Sequence, residues 1–303
     1  MAEKTSAVSM QVSVVIPTLN AGKELNTLLR ALENQRSPAE EILVVDSSSE
    51  DNTAEICSQY ERVIFLSIPR ESFDHGRTRD LALRRCRGDV VVFLTQDAVP
   101  ANSEFLEKLI KPLEDEHTAV SVGRQLPKKS ATKAEALVRS FNYPKNSFIR
   151  SKEDIPALGI KAFFCSDSCA AYRKDVYLKL GGFEYPLKSN EDMFFAAKAL
   201  QSGYRIAYTA DAMVYHSHNF SLREQYRRNY IQGYEIERHR ELIGDVSLNT
   251  EGLKLVRTVS GSLLAEGAVS AFLFFGLDCC ARWLGNRNGK AAYRRRTRHV
   301  HDR

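Results

Sequence analysis

Gly88-Asp89-Val90-Val91-Val92-Phe93-Leu94-Thr95-Gln96-Asp97-Ala98-Val99-Pro100 is the stretch on which the reading of this chain turns. An uninterrupted apolar run meets the polar Thr95-Gln96-Asp97, and Pro100 stops it. A strand without polar alternation is covered on both faces, as in a parallel sheet flanked by helices. Such a strand delivers Asp97 at its carboxyl end, where open α/β sheets bind ligands. Taken alone, an aspartate there is equally a cap or turn residue. Its meaning depends on its company.

Working outward, residues 12–16 read as a β-branched strand that ends in Pro17-Thr18-Leu19-Asn20. Leu25, Leu28, Leu29 and Leu32 then follow the spacing of a helical apolar face. A second strand over 42–45 releases Asp46-Ser47-Ser48-Ser49, and Asn52 with Glu55 forms a capping-box pattern for the next helix. A strand over 63–68 and a helix over 75–86, closed by Gly88, lead back to the opening stretch. A helix carrying Leu106, Leu109, Ile110 and Leu113 follows, then a strand over 119–122. Strands alternating with helices predict an α/β fold with a parallel sheet and right-handed crossovers. Beyond residue 125 the alternation weakens. Residues 127–157 are polar and mixed; then come a strand over 170–172, a helix over 175–180 ended by Gly181-Gly182, and a helix over 191–201. Strands over 206–208 and 212–215 follow, the second delivering His216, and Ser221 with Glu224 caps a long polar helix.

The net charge of +5 is misleading as a global figure. Residues 282–303 hold eight basic groups and one acid, leaving 35 basic and 37 acidic residues over 1–281. Such a tail suits an anionic surface, lipid or nucleic acid, or a solvated end. Ahead of it, eleven uncharged residues separate Glu266 from Asp278, short of the about 20 that span a bilayer. That length fits an interfacial helix, or one packed on the body or across a homo-oligomer. The basic run comes with no nucleic-acid-binding motif, so nucleic acid is not the expected partner. Six cysteines without a CxxC pair read as small buried hydrophobes in a reducing compartment. With no basic-then-apolar leader, the expectation is cytoplasmic. No Gly-x-Gly-x-x-Gly follows the first strand and no P-loop occurs, which removes the main support for dinucleotide and P-loop enzymes.

Asp46, Asp97 and His216 stand at strand ends, and Glu191-Asp192 at a helix start, where the dipole favours carboxylates. Mg2+ or Mn2+ on a diphosphate needs only one or two protein groups, so Asp97 with His216 would suffice.

These pieces resemble the family-2, inverting, GT-A-fold glycosyltransferases over roughly residues 11–240. They come in the family's order: Val14-Val15-Ile16-Pro17-Thr18-Leu19-Asn20, Val44-Val45-Asp46, Arg79-Asp80, the opening stretch through Asp97, Gly181-Gly182-Phe183, Glu191-Asp192 and Val214-Tyr215-His216. The resemblance implies a mostly parallel sheet flanked by helices, with a nucleotide-binding half (11–125), an acceptor half (126–240) and a helical, basic C-terminal extension (241–303) that touches a membrane or a second copy. It implies that Asp46 accepts the imino N–H of a uracil or thymine. Pro17, Thr18, Asn20, Gln96 and Asp97 would line the donor, with Arg79 beside base and phosphates. Asp97 and His216 would hold Mg2+ or Mn2+, and Asp192 would be the catalytic base. Glu191, Arg227 and Arg228 are candidates for the acceptor or diphosphate. Two positions depart from the family: Thr95 replaces the first carboxylate of Asp-x-Asp, and Asp80, which would add charge near the donor, stands where Asn is usual. Phe73-Asp74-His75-Gly76-Arg77-Thr78-Arg79 with Thr95-Gln96-Asp97-Ala98 is most similar to bacterial rhamnosyltransferases that use dTDP-L-rhamnose. The implied acceptor is a glycan or lipid-linked glycan, at the inner face of the cytoplasmic membrane. The alternatives are a UDP-sugar donor, or a non-catalytic glycan- or partner-binding scaffold of the same fold.

Overall fold

The computed structural model describes residues 10–244 and 249–301. Nine strands form one sheet: β1 (Val12–Thr18), β2 (Glu41–Asp46), β3 (Val63–Ser67), β4 (Val90–Leu94), β5 (Val99–Pro100), β6 (Thr118–Leu126), β7 (Phe148–Arg150), β8 (Cys169–Arg173) and β9 (Arg205–Tyr215). Their order is β3-β2-β1-β4-β8-β6-β9-β5, with β7 paired to β9. The first four are parallel, as the alternation predicts. β8 enters antiparallel to both β4 and β6, so the sheet is mixed beyond that point.

The helices are α1 (Leu25–Glu33), α2 (Thr53–Cys57), α3 (His75–Arg85), α4 (Phe105–Ile110), α5 (Lys133–Asn142), α6 (Ile155–Leu158), α7 (Lys174–Lys179), α8 (Glu191–Gln201), α9 (Leu222–Arg238), α10 (Arg240–Ile243), α11 (Asn249–Ala265) and α12 (Val269–His301). Successive strand side chains point to opposite faces, and both faces are covered. Val14, Ile16, Val44, Val92 and Leu94 pack with Leu25, Leu28 and Leu29 of α1 and Phe105 and Leu109 of α4. Val15, Val45, Val91 and Phe93 pack on the other side with Leu83 of α3 and with Tyr172, Tyr177, Phe183, Phe194 and Phe195. The aromatic rings there meet mostly edge to face, Phe93 and Tyr172 at 5.5 Å and Tyr172 and Phe195 at 5.5 Å. This close-packed floor lies under the start of α8.

Several details differ from the sequence expectations. Asn52 makes no side-chain cap; Asp51 instead accepts from the Thr53 N–H and hydroxyl. The two short strands expected over 206–215 are one long strand, β9. It stays continuous because the β6–β9 register shifts between Gly123 and Arg124. Gly123 permits that shift, since a Cβ there would fall on the Cys169 sulfur and the Ala212 carbonyl. The polar stretch 127–157 contains α5, β7 and α6. Cys57, Cys86, Cys165 and Cys169 are buried thiols as expected, whereas Cys280 is exposed on α12.

The C-terminal helices pack on the body. α12 lies along α9 so closely that a Cβ at Gly285 or Gly289 would strike the Tyr226 or Tyr230 carbonyl, and one at Gly233 the Asn286 backbone. Arg294 adds a pair of bonds to Glu237, at 2.7 and 3.1 Å. α11 joins α5 and α12 through a small core of Val138, Val259, Leu263 and Phe275. Among the described residues, no helix is long and apolar enough to cross a membrane.

Candidate active site

The carboxyl ends of β1, β2 and β4 put three loops side by side. Asp46 ends β2, is 2% exposed, and accepts from Thr18 Oγ1 at 2.9 Å, Ser49 N at 2.7 Å and Ser49 Oγ at 2.5 Å. A carboxylate has about four lone-pair positions, so one stays open for a further donor. Gln96 clasps the neighbouring loop, taking the Leu19 N–H at 2.9 Å and donating to the Leu19 carbonyl at 3.3 Å. Asn20 accepts from Glu50 N, which ties the Pro17–Asn20 loop to the loop after β2. Asn20 and Ser48 have left-handed backbones, φ 50° and 56°; among the described residues the third non-glycine case is Asn190, φ 70°, just before Glu191. Conformations that cost energy thus gather at these loops, a common trait of functional sites. An open depression of about 520 Å³ lies beside them, lined by Ser48, Glu50, Ser67, Ile68 and Arg70.

Beyond Gln96, Asp97 meets the end of β9. Its Oδ1 is 3.4 Å from His216 Nε2, and its Oδ2 is 2.8 Å from Lys128 Nζ and 3.5 Å from His218 Nε2. The two imidazole Nε2 atoms are 3.0 Å apart. Among the described residues, Asp97, His216 and His218 form the one trio able to hold a metal ion, with all ligand atoms within 4.8 Å of one another. Burial works against the charge of Asp97, but His216, Lys128 and His218 overcome it and hold the carboxyl far below the usual range. Burial pulls His218 down to about 4 against the attraction of Asp97, with His216, Lys128 and Arg228 adding to the depression.

The tautomer of His216 follows from its partner. Gln125 Oε1 accepts from Arg139 Nη1 at 2.5 Å and lies 2.8 Å from His216 Nδ1. An amide oxygen has no hydrogen to give, so Nδ1 carries a proton and donates to it, which turns Nε2 toward Asp97. A hydrogen bond to the far ring nitrogen fixes the orientation of metal-ligating histidines in this way. Thr95 Oγ1, two residues before Asp97, is buried with no hydrogen-bond partner.

A second cluster forms where α3, β8 and the start of α8 meet. Asp192 accepts from Met193 N at 2.7 Å and from Asp167 N at 3.1 Å. Asp167 also accepts from Tyr172 Oη at 2.6 Å and lies 3.4 Å from Arg79 Nε. Arg79 Nη1 reaches Glu191 at 3.1 Å and the His75 carbonyl at 3.2 Å. One guanidinium therefore lies against two carboxyl groups, Asp167 and Glu191, and feels the charge of Asp192 as well. Burial, then the like charges of Asp167 and Glu191, push the Asp192 carboxyl well above the usual range. Burial, opposed by Arg79 and reinforced by Glu191, pushes Asp167 up to about 7.

Of the residues singled out from sequence, Thr18, Asn20, Asp46 and Gln96 share the loop cluster, Pro17 lies in β1 beside them, and Asp97 and His216 meet. Arg79 and Glu191 bond each other near Asp192, and Arg79 is not among the partners of Asp46. Arg228 is exposed, stacks over Phe220 at 4.3 Å, and its charge adds to the burial that lowers both His75 and His218. Arg227 is on an exposed face of α9. Asp80, expected to add charge near the donor, is instead buried and bonded to Tyr177 Oη at 3.0 Å and Arg84 Nε at 2.8 Å. Three residues were missed: His218, Lys128 and Asp167. His216-x-His218 carried a signal, since alternate residues of extended chain share a face. Lys128 and Asp167 carried none. The C-terminal helix also touches this region: a cavity of about 320 Å³ is bounded by Glu135, His218, Phe220, Phe275 and Arg282.

Comparison with known proteins gives a family, two relatives and a structural neighbour. The Glycosyl transferase family 2 profile matches residues 13–181. The chain is 41% identical over 225 residues to the O-antigen chain rhamnosyltransferase RfbN of Salmonella typhimurium, covering 74% of this chain and 72% of that protein. It is 42% identical over 223 residues to the O-antigen chain rhamnosyltransferase WbaN of Salmonella anatum, covering 73% and 70%. Among solved structures, the mannosyltransferase PcManGT from Pyrobaculum calidifontis, in complex with GDP-Man and Mn2+, superposes with a TM-score of 0.63 at 17% identity, over 91% of this chain and 87% of that one.

Proposed function

The chain belongs to glycosyl transferase family 2, and from that premise we propose that it transfers L-rhamnose from dTDP-L-rhamnose, with inversion, to a glycan or lipid-linked glycan in bacterial cell-surface polysaccharide synthesis. The observation that carries this reading is the placement of Asp46, the Asp97–His216 pair and Asp192 at one rim of one sheet. Identity above 40% with two O-antigen rhamnosyltransferases favours rhamnose over the UDP-sugar alternative.

In this reading Asp46 offers its open lone pair to the imino N–H of the thymine, and Pro17, Thr18 and Asn20 wrap the nucleoside. Gln96 keeps that loop in place. Mg2+ or Mn2+ fits Nε2 of His216 and the anionic Asp97, and when bound would supply Lewis-acid stabilisation of charge growing on the departing diphosphate. Arg228, and with it Arg227, brings positive charge to the same diphosphate. Asp192 takes the proton of the attacking acceptor hydroxyl. Arg79 and Glu191 hold the wall in which Asp192 sits. A purified-protein assay with dTDP-L-rhamnose and UDP-sugars, with and without the cation and with a bacterial lipid extract as acceptor, tests this directly. Release of dTDP alone is expected; release from none of the donors would remove the enzyme reading, and release from a UDP-sugar would replace the donor.

The environment of Asp192 makes a pH prediction. Arg79, Glu191 and Asp167 act on it electrostatically, and its own charge helps keep Tyr172, Cys165 and Tyr143 protonated. A base must be ionised, so a raised carboxyl moves the acidic limb of the kcat/KM profile upward. Asp167→Asn removes a like charge while Tyr172 Oη still has an oxygen to donate to, so the limb should move down by about 1 unit. An unmoved limb would separate Asp167 from the base.

The C-terminal extension, residues 241–303, supports a peripheral position on the inner face of the cytoplasmic membrane. Val269, Leu273, Leu277 and Leu284 repeat along one exposed face of α12, with Trp283 beside them and exposed Arg287, Arg295 and Arg296 further on. Apolar groups beside cations suit an anionic bilayer surface. Leu273→Glu with Leu277→Glu should abolish flotation with phosphatidylglycerol vesicles; unchanged flotation would count against this face, and a halved solution mass would assign it to a homo-oligomer.

A further inference from the structure

Resting on the metal centre just described, we propose that His218 is its third protein ligand, and that the resulting face of two imidazoles and one carboxylate selects Mn2+ over Mg2+. Two ligand atoms each about 2.1 Å from an ion and at right angles to one another lie about 3.0 Å apart. The His216 and His218 Nε2 atoms are 3.0 Å apart, and the Asp97 oxygens lie 3.4 and 3.5 Å from them. The two imidazole nitrogens are thus spaced as neighbouring ligands of one ion, and one oxygen of Asp97 lies within 4.8 Å of both.

The substitution at Thr95 explains why such a ligand is needed. Where the resembling family places a second carboxylate, this chain has a hydroxyl that is buried and without a partner. β4 therefore contributes one anionic ligand instead of two. The compensating group comes from the far side of the site, off the end of β9, where His216-x-His218 directs two rings into the same space. Their planes are nearly perpendicular, 88°, with centroids 4.8 Å apart, so each ring can aim its Nε2 at a common point without overlap. Phe220 lies against the His218 ring at 5.0 Å and holds its plane.

Exchange of a carboxylate for an imidazole changes which ion is preferred. Mg2+ is a hard ion that favours oxygen and keeps its waters. Imidazole suits transition ions, and two histidines with one carboxylate form a facial set typical of them. Lys128 strengthens the bias, because its ammonium shares Asp97 Oδ2 and lowers the net negative charge on offer.

Pulsed EPR of the full-length protein with Mn2+ and thymidine diphosphate tests the proposal. The 14N modulation should report two imidazole nitrogens in the unaltered protein and one in His218→Ala. Mn2+ affinity should fall by about tenfold or more in that variant, and Mg2+ should displace Mn2+ only at large excess. His218→Asp should retain Mn2+ yet let Mg2+ compete at much lower concentration. His218 is partly exposed, 41% for its side chain, so these variants keep the fold. A single nitrogen in the unaltered protein, or His218→Ala with unchanged spectrum and affinity, would overturn the His218 assignment and leave the Asp97–His216 centre standing. No bound Mn2+, or equal binding by Asp97→Ala, would overturn the centre and His218 with it.

Discussion

Asparagine in place of Asp192 should cut turnover by about 10²–10⁴-fold while dTDP-L-rhamnose binds as before. The amide keeps the shape of the side chain but cannot take a proton from the acceptor. Donor affinity is unaffected because the donor loops and Asp97 lie on other elements. One local cost accompanies the change. Both carboxylate oxygens accept backbone N–H bonds, from Met193 at 2.7 Å and Asp167 at 3.1 Å. An amide has one acceptor oxygen, so one N–H loses its partner, at about 1–3 kcal/mol. Turnover and donor affinity, measured together with the unfolding midpoint, separate the two effects. Near-normal turnover by a folded variant would remove Asp192 as the base.

Asp97→Ala should have an effect of similar size through different chemistry. It removes the one carboxylate at the centre and leaves Lys128 Nζ and two imidazoles facing each other without an anion. Metal affinity should fall below detection, and kcat by at least about 10²-fold, the usual loss when a group stabilising the leaving charge is deleted. Titration of Mn2+ into the variant, in parallel with the diphosphate-release assay, measures both. Retained turnover without bound metal would show that Lys128 and Arg228 stabilise the leaving diphosphate unaided.

How far these groups could be foreseen differs along the chain. The parallel half was legible because β1, β2 and β4 are apolar on both faces, and strands covered on both sides carry that mark in sequence. Their ends then gave Asp46 and Asp97 directly. The second half was less legible. β9 carries Thr209-Ala210-Asp211 in mid-strand, which breaks the apolar pattern, and a register shift at Gly123 is what keeps it whole. The seat of α12 on α9 depends on Gly233, Gly285 and Gly289, and a glycine reads as a break until its neighbour is known. Asp167 was invisible for a similar reason. Within Cys165-Ser166-Asp167-Ser168-Cys169 nothing marks it; Arg79, Tyr172 and Asp192, from three other parts of the chain, give it its setting. Arg79 was legible as a site residue, but sequence could not show that it faces carboxylates.

The proposed reaction is a single displacement: the acceptor hydroxyl, with Asp192 as base, attacks the anomeric carbon as the diphosphate leaves. Its most direct test is the anomeric configuration of the bond formed, read from the one-bond C1–H1 coupling of 13C-labelled rhamnose transferred to the lipid-extract acceptor. A single displacement gives a configuration opposite to that of the donor. The donor's own configuration in the product would contradict it, since retention requires a covalent or front-face route in which Asp192 is not the base.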